Sequence, residues 1–140
     1  MRSAFSGAIS LSENYSQPSS CKATEVLIDV KAAAINPVDY KIGGYFSPIG
    51  FKIVGFDVSG VVKTVGSKVT HVKVGDEVYG CAKGSLAEVA VADAEHVALK
   101  SIKLSFVEAA ALPVAYITSL QGLRDYGSFY FYVLYFIYFK

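Results

Sequence analysis

Few residues in this chain are of the types that carry covalent or metal chemistry, and their spacing excludes the usual constellations. The 140 residues contain two cysteines, Cys21 and Cys81, and two histidines, His71 and His96. No C-x-x-C or H-E-x-x-H spacing joins them, so they do not form a zinc site, and two cysteines cannot build a disulfide scaffold. Both histidines read as solvated loop residues. No G-x-S-x-G elbow presents a serine nucleophile. Cys81, beside Gly80 at a strand end, reads as a small buried residue rather than a nucleophile. No G-x-G-x-x-G opens a helix after a strand, so the chain offers no phosphate cradle of the dinucleotide-binding kind.

The elements that would position any site are β-rich. Glu25–Ala34 alternates, with Val26, Ile28, Val30 and Ala32 on one side, and predicts a strand that Asn36-Pro37 halts. Ile53–Val65 predicts a second β segment interrupted by Gly55 and Gly60. Gly75-Asp76 predicts a turn into a strand ending at Gly80. Leu86–Ala92 and Val97–Leu99 complete a set of short strands of barrel or sandwich type. Arg2–Ile9 reads as a further strand at the start, and residues 10–24 as a polar surface loop. Ser105 and Glu108 have the spacing of a capping box. Pro113 suits the first turn of a following helix, which Gly127 would end.

Composition narrows the class. Thirteen Lys and Arg against twelve Asp and Glu give a net charge of +1, with 53% hydrophobic and 18% charged residues. Such a chain can bury a core, and the absence of a basic run argues against nucleic acid as a partner. The N-terminus lacks the apolar stretch of a signal peptide, which suits a cytoplasmic protein. Ten Tyr and nine Phe are unevenly spread, eight of these aromatics lying in the eleven residues Phe129–Phe139. That apolar run is too short to span a membrane, which takes about 20 residues. Its lack of charge makes it aggregation-prone.

Five ordered stretches then carry a resemblance. They are Ala33–Lys41 (AAINPVDYK), Gly55–Val62 (GFDVSGVV) with Val65–Val69, Lys73–Gly80 (KVGDEVYG), Gly84–Glu88 (GSLAE) and Leu104–Pro113 (LSFVEAAALP). From about residue 25 to about 126 the chain closely resembles the medium-chain dehydrogenase/reductase superfamily. The resemblance implies a mainly β fold with C-terminal helices: a GroES-like, partly open β-barrel that is the catalytic domain of these enzymes. Zinc-dependent members carry Cys where this chain has Asn36, and Gly-His-Glu where it has Gly55-Phe56-Asp57. The resemblance therefore points to the zinc-free branch of quinone oxidoreductases and enone or enoyl reductases. Reducing a conjugated carbonyl places charge on an enolate oxygen that hydrogen-bond donors can stabilise, with hydride from a nicotinamide cofactor.

By resemblance, NADPH is the cofactor and a quinone or α,β-unsaturated carbonyl the small-molecule substrate. Lys41 is the candidate donor to the substrate carbonyl, and Tyr40 and Tyr45 are candidates to line the cleft. Asn36 either lines the nicotinamide end or caps the turn before Pro37. Thr118 sits where relatives place a residue near the nicotinamide. Asp39, Asp57 and Gly75-Asp76 read as architectural.

Relatives continue past a helix like Pro113–Tyr126 into a Rossmann cofactor domain, often the dimer contact of the intact enzyme. Here Ser128 and the aromatic run follow. The resulting expectation is a GroES-like domain over residues 1–127 and an aberrant tail over 128–140, as in a truncated gene product without its Rossmann domain. Such a chain would hold the cofactor poorly and be inactive alone. Two other readings are a non-enzymatic GroES-like binding module and a fragment of a zinc-type alcohol dehydrogenase.

Overall fold

The computed structural model describes residue 13, residues 16–39 and residues 53–126. The expected strand Arg2–Ile9, the candidates Tyr40, Lys41 and Tyr45, and residues 127–140 lie outside the described residues.

Five strands form one antiparallel sheet: β1 (Glu25–Ala34), β2 (Asp57–Val65), β3 (Glu77–Cys81), β4 (Val89–Asp93) and β5 (Val97–Leu99). Their order across the sheet is β4-β1-β2-β3-β5. The alternation in β1 has its predicted effect. Val26 and Ile28 are wholly buried and join Val58, Val62 and Val78 in the core, with Val30 packed against them. Each such Val or Ile contributes about 1.5–3 kcal/mol by leaving water.

The sheet must roll up. Laid flat, the outer strands β4 and β5 would lie four gaps of about 4.8 Å apart, about 19 Å. Yet only Ala94–His96 connects them, as a 3-10 turn. At about 2 Å per residue that link covers roughly 8 Å. The turn is pinned at both ends, Ala94 N–H donating to the Thr24 carbonyl at 3.0 Å while the His96 carbonyl presses on Gly80. A Cβ on Gly80 would lie 2.1 Å from that oxygen, so the close approach requires glycine. Two register shifts between β1 and β2, at Leu27/Ile28 and Val30/Ala32, add bend. The result is the partly open barrel.

Helix α1 (Phe106–Ala110) packs on the sheet through Ala109 and Ala110, which are buried. Its capping box is complete: Ser105 Oγ accepts from Glu108 N–H, and the Glu108 carboxylate accepts from Ser105 N–H. Lys100, its side chain buried, ties β5 to this helix. Its Nζ pairs with Glu77 at 2.9 Å, donates to the Leu104 carbonyl at 2.7 Å and lies 5.0 Å from the Phe106 ring centre. Helix α2 (Pro113–Gln121) follows and passes into a π-helical turn, Gly122–Tyr126.

Two strand starts shift. The second β segment starts at Asp57 rather than Ile53, because Gly55 (φ +102°) turns the chain. Its carbonyl accepts from Gly84 and Ser85 N–H, a loop pairing instead of a ladder. For the same reason β4 starts at Val89 rather than Leu86, whose N–H bonds the Val54 carbonyl.

Candidate functional site

The site begins where β1 ends. Pro37 opens a helical turn at residues 37–39, with Asn36 in the capping position before it. Asp39 N–H donates to the Asn36 carbonyl at 3.0 Å. The Asp39 carboxylate accepts the Asn36 N–H at 2.6 Å, as the third residue does in half a capping box. The turn is thus closed by Asp39, the structural role expected of it, and the Asn36 side chain is not used as the cap.

That side chain reaches Asp57 instead. Asn36 Nδ2 donates to Asp57 Oδ2 at 2.8 Å. Asp57 is the first residue of β2, in register with Ala34 of β1 and Cys81 of β3, and has 0% exposure. Its Oδ1 accepts Val114 N–H at 2.9 Å. Val114 lies in the first turn of α2, where backbone donors have no helical partner, and Leu112 before the helix supplies no side-chain cap. Asp57 therefore caps a helix 57 residues away, its charge favourably placed at the helix N-terminus. Burial pushes its carboxyl above the usual range, against which the hydrogen bonds from Asn36 and Val114 act.

Cys81 Sγ lies 3.9 Å from Asp57 Oδ1. Burial first, and then the neighbouring Asp57 charge, push its thiol up to about 11. It is a protonated, unreactive group at neutral pH rather than a nucleophile, but it is only partly buried, not the buried residue expected.

On the far side of Cys81 and Pro113 opens a cavity of about 530 Å³, between β3, β5, the Ala94–His96 turn and α2. Its size suits a small organic ligand, and its walls include Tyr79, His96, Val97, Tyr116 and Ile117. Asn36 and Thr118 do not line it. Thr118 is exposed on α2, one turn beyond Val114 and so on the same helix face. The structure thus links Asn36 to the first turn of α2 through Asp57, with Thr118 farther along that helix. His71 is exposed, but its Nε2 is 2.9 Å from the Ala94 carbonyl, while His96 is part of the 3-10 turn and a cavity wall. His71 is thus the exposed loop residue expected, with one backbone contact, whereas His96, also exposed, belongs to the 3-10 turn. The residue that sequence reasoning undervalued is Asp57, whose signal was a lone acid within a Val-rich strand.

Among the described residues no three His, Cys, Asp or Glu are grouped to hold a metal, and no helix is long and apolar enough to cross a membrane.

The rolled antiparallel sheet followed by helices defines a GroES-like domain. Residues 22–102 match the alcohol dehydrogenase GroES-like domain. The chain belongs to that family, within the medium-chain dehydrogenase/reductase superfamily. It is 46% identical over 121 residues to a 2-methylene-furan-3-one reductase of Solanum lycopersicum, covering 76% of this chain and 31% of the relative. It is 43% identical over 117 residues to an NADPH-dependent alkenal/one oxidoreductase, chloroplastic, of Arabidopsis thaliana, covering 73% of this chain and 30% of that protein. Among solved structures it resembles the Escherichia coli quinone oxidoreductase complexed with NADPH. The TM-score is 0.72 at 30% identity, over 79% of this chain and 35% of that one. The chain spans about a third of the length of these relatives.

Proposed function

We propose that this chain is the catalytic-domain portion of an NADPH-dependent reductase acting on quinones or α,β-unsaturated carbonyls. The observation that carries the reading is the fixed amide of Asn36. Its Nδ2 is held by a buried carboxylate, while its Oδ1 receives no hydrogen bond among the described residues. An oriented acceptor fits the amino group of a nicotinamide carboxamide. The names of the relatives supply the substrate class: an alkenal/one oxidoreductase and a furanone reductase.

When bound, NADPH would supply hydride to the conjugated substrate. The chain's own groups bind and orient. Asn36 would face the carboxamide and Thr118 would approach the same end from α2. Lys41 would donate to the carbonyl oxygen as negative charge develops on it, with Tyr40 and Tyr45 closing the cleft around the substrate. Asn36 and Phe56, at the positions where zinc-dependent members carry thiolate and imidazole, provide neither, so the reading is metal-free. The compartment we assign is the cytoplasm.

NADPH titrated into the purified chain by calorimetry, with enone reduction followed by loss of NADPH absorbance, tests the proposal. Saturable binding that Asn36→Ser weakens supports it; no heat at millimolar NADPH removes the enzymatic reading for this chain by itself, though not for its family. The second reading, a binding module, draws on the apolar side chains Ile117, Leu120 and Leu123 that remain exposed along α2 and the π turn. A chain that binds no NADPH but captures a full-length reductase would favour it.

A further inference from the structure

Asp57 does more than join three elements. Asn36 Nδ2 donates to Asp57 Oδ2 at 2.8 Å, so the carboxylate faces the NH₂ side of the amide. The planar amide then holds its carbonyl away from Asp57. The backbone of Asn36 cannot swing to compensate, because Asp39 grips its N–H from the other side at 2.6 Å and is itself 3% exposed.

We infer that Asp57 is a positioning residue that sets the polarity of the Asn36 amide, so that this position offers an incoming ligand an acceptor and not a donor. The inference rests on the nicotinamide reading only for the identity of that ligand, whose carboxamide NH₂ the acceptor would select. Among the described residues, the Asp57 contacts come from three elements. Residues 36–39 bring Asn36 and the Asp39 carboxylate, β3 brings the Cys81 thiol, and α2 brings a backbone N–H with no charged side chain.

The decisive variant is Asp57→Asn. Its carbonyl is required by Val114 N–H, which leaves its own NH₂ facing Asn36. Two NH₂ groups repel, so the Asn36 amide must turn over, accept with Oδ1 and present its NH₂ outward. The substitution keeps size and the helix cap, and inverts one dipole.

Asparagine-selective ¹⁵N labelling makes this readable, because the sequence holds two asparagines, Asn14 and Asn36; Asn36→Ser identifies the signal. In the wild-type chain the Asn36 side-chain NH₂ should exchange with water roughly tenfold more slowly than in Asp57→Asn, since a charge-assisted hydrogen bond is lost. Backbone amide spectra monitor folding of both. Equal exchange in two folded proteins overturns the inference. If Asp57→Asn does not fold, the wild-type chain still decides. The Asn36 side-chain ¹⁵N shift should titrate together with the Asp57 carboxyl ¹³C shift, and an Asn36 signal indifferent to Asp57 overturns the inference. These readouts need no cofactor. NADPH that binds but fails to perturb a correctly held Asn36 amide overturns the nicotinamide reading and leaves the positioning role standing.

Discussion

A buried acid is expensive to keep ionised, and Asp57 shows how three donors from three parts of the chain can hold it. Its raised carboxyl gives a definite sign to pH dependence. Because the folded value lies above the unfolded one, near 3.9, its contribution to stability is full below the unfolded value and is lost as pH rises through the folded one. The stability of the wild-type chain relative to Asp57→Asn should therefore fall as pH rises above the unfolded carboxylate value, measured by urea unfolding at each pH; a constant difference would contradict the shift. The same carboxylate protects its neighbour. With its thiol pushed up to about 11, Cys81 is thiolate in roughly one molecule in ten thousand at pH 7. Labelling by a chromophoric disulfide should leave Cys81 largely unreacted while the chain is folded, and Asp57→Asn should speed it several-fold by removing a negative charge. Sequence reading reached the turn-closing role of Asp39, because it depends on a neighbour three residues away, whereas Asn36 came from the resemblance. The Asp57 network was not legible, since its partners lie 21, 24 and 57 residues away. Only the folded register brings them together.

Elements were legible where local physics suffices. β1 and β5 have the predicted bounds because Val-rich alternation and flanking breakers settle them. The capping box of α1 forms as Ser105 and Glu108 foretell. Where a distant loop competes, pattern fails: residues 53–56 satisfy their backbone against residues 84–86 rather than a neighbouring strand, and nothing local to Ile53 reveals that. The expected helix to Gly127 likewise relaxes into a π turn at Gly122, a change of ladder with no clear mark in the apolar spacing. At this scale Ser105→Ala should cost about 1 kcal/mol in denaturant unfolding, as removing an N-cap does. Gly80→Ala should cost more, because the added methyl meets the rigid His96 carbonyl, and its denaturation midpoint should fall below that of Ser105→Ala.

At the scale of the described molecule, an apolar cluster lines the inside of the rolled sheet and the surface acids decide how it meets low pH. Ile28→Ala, at 0% exposure in the centre of that cluster, should lose about 2–5 kcal/mol, which calorimetric melting would register. Glu25, Asp29, Asp76 and Glu108 are all held below the ordinary carboxylate range, each chiefly by hydrogen bonds from close partners. Their contributions are present above the unfolded carboxylate values and are lost as pH falls through the folded ones. They sit at the surface, so the acid transition should weaken in high salt.

The central place of β1 also has a temporal side. The first strand of the described sheet is an inner one, paired on one flank with β2 and on the other with β4, from Val26↔Val65 to Glu25↔Asp93. A nascent chain leaving the ribosome therefore exposes Val26, Leu27 and Ile28 long before their second neighbour has been synthesised. Contacts so far apart in sequence slow barrel closure, because loop entropy is spent before the pairing is gained. In the interval the apolar strand is open to any other strand nearby, and the time needed to translate from residue 34 to residue 93 sets the shortest period over which the cell must keep it from pairing wrongly.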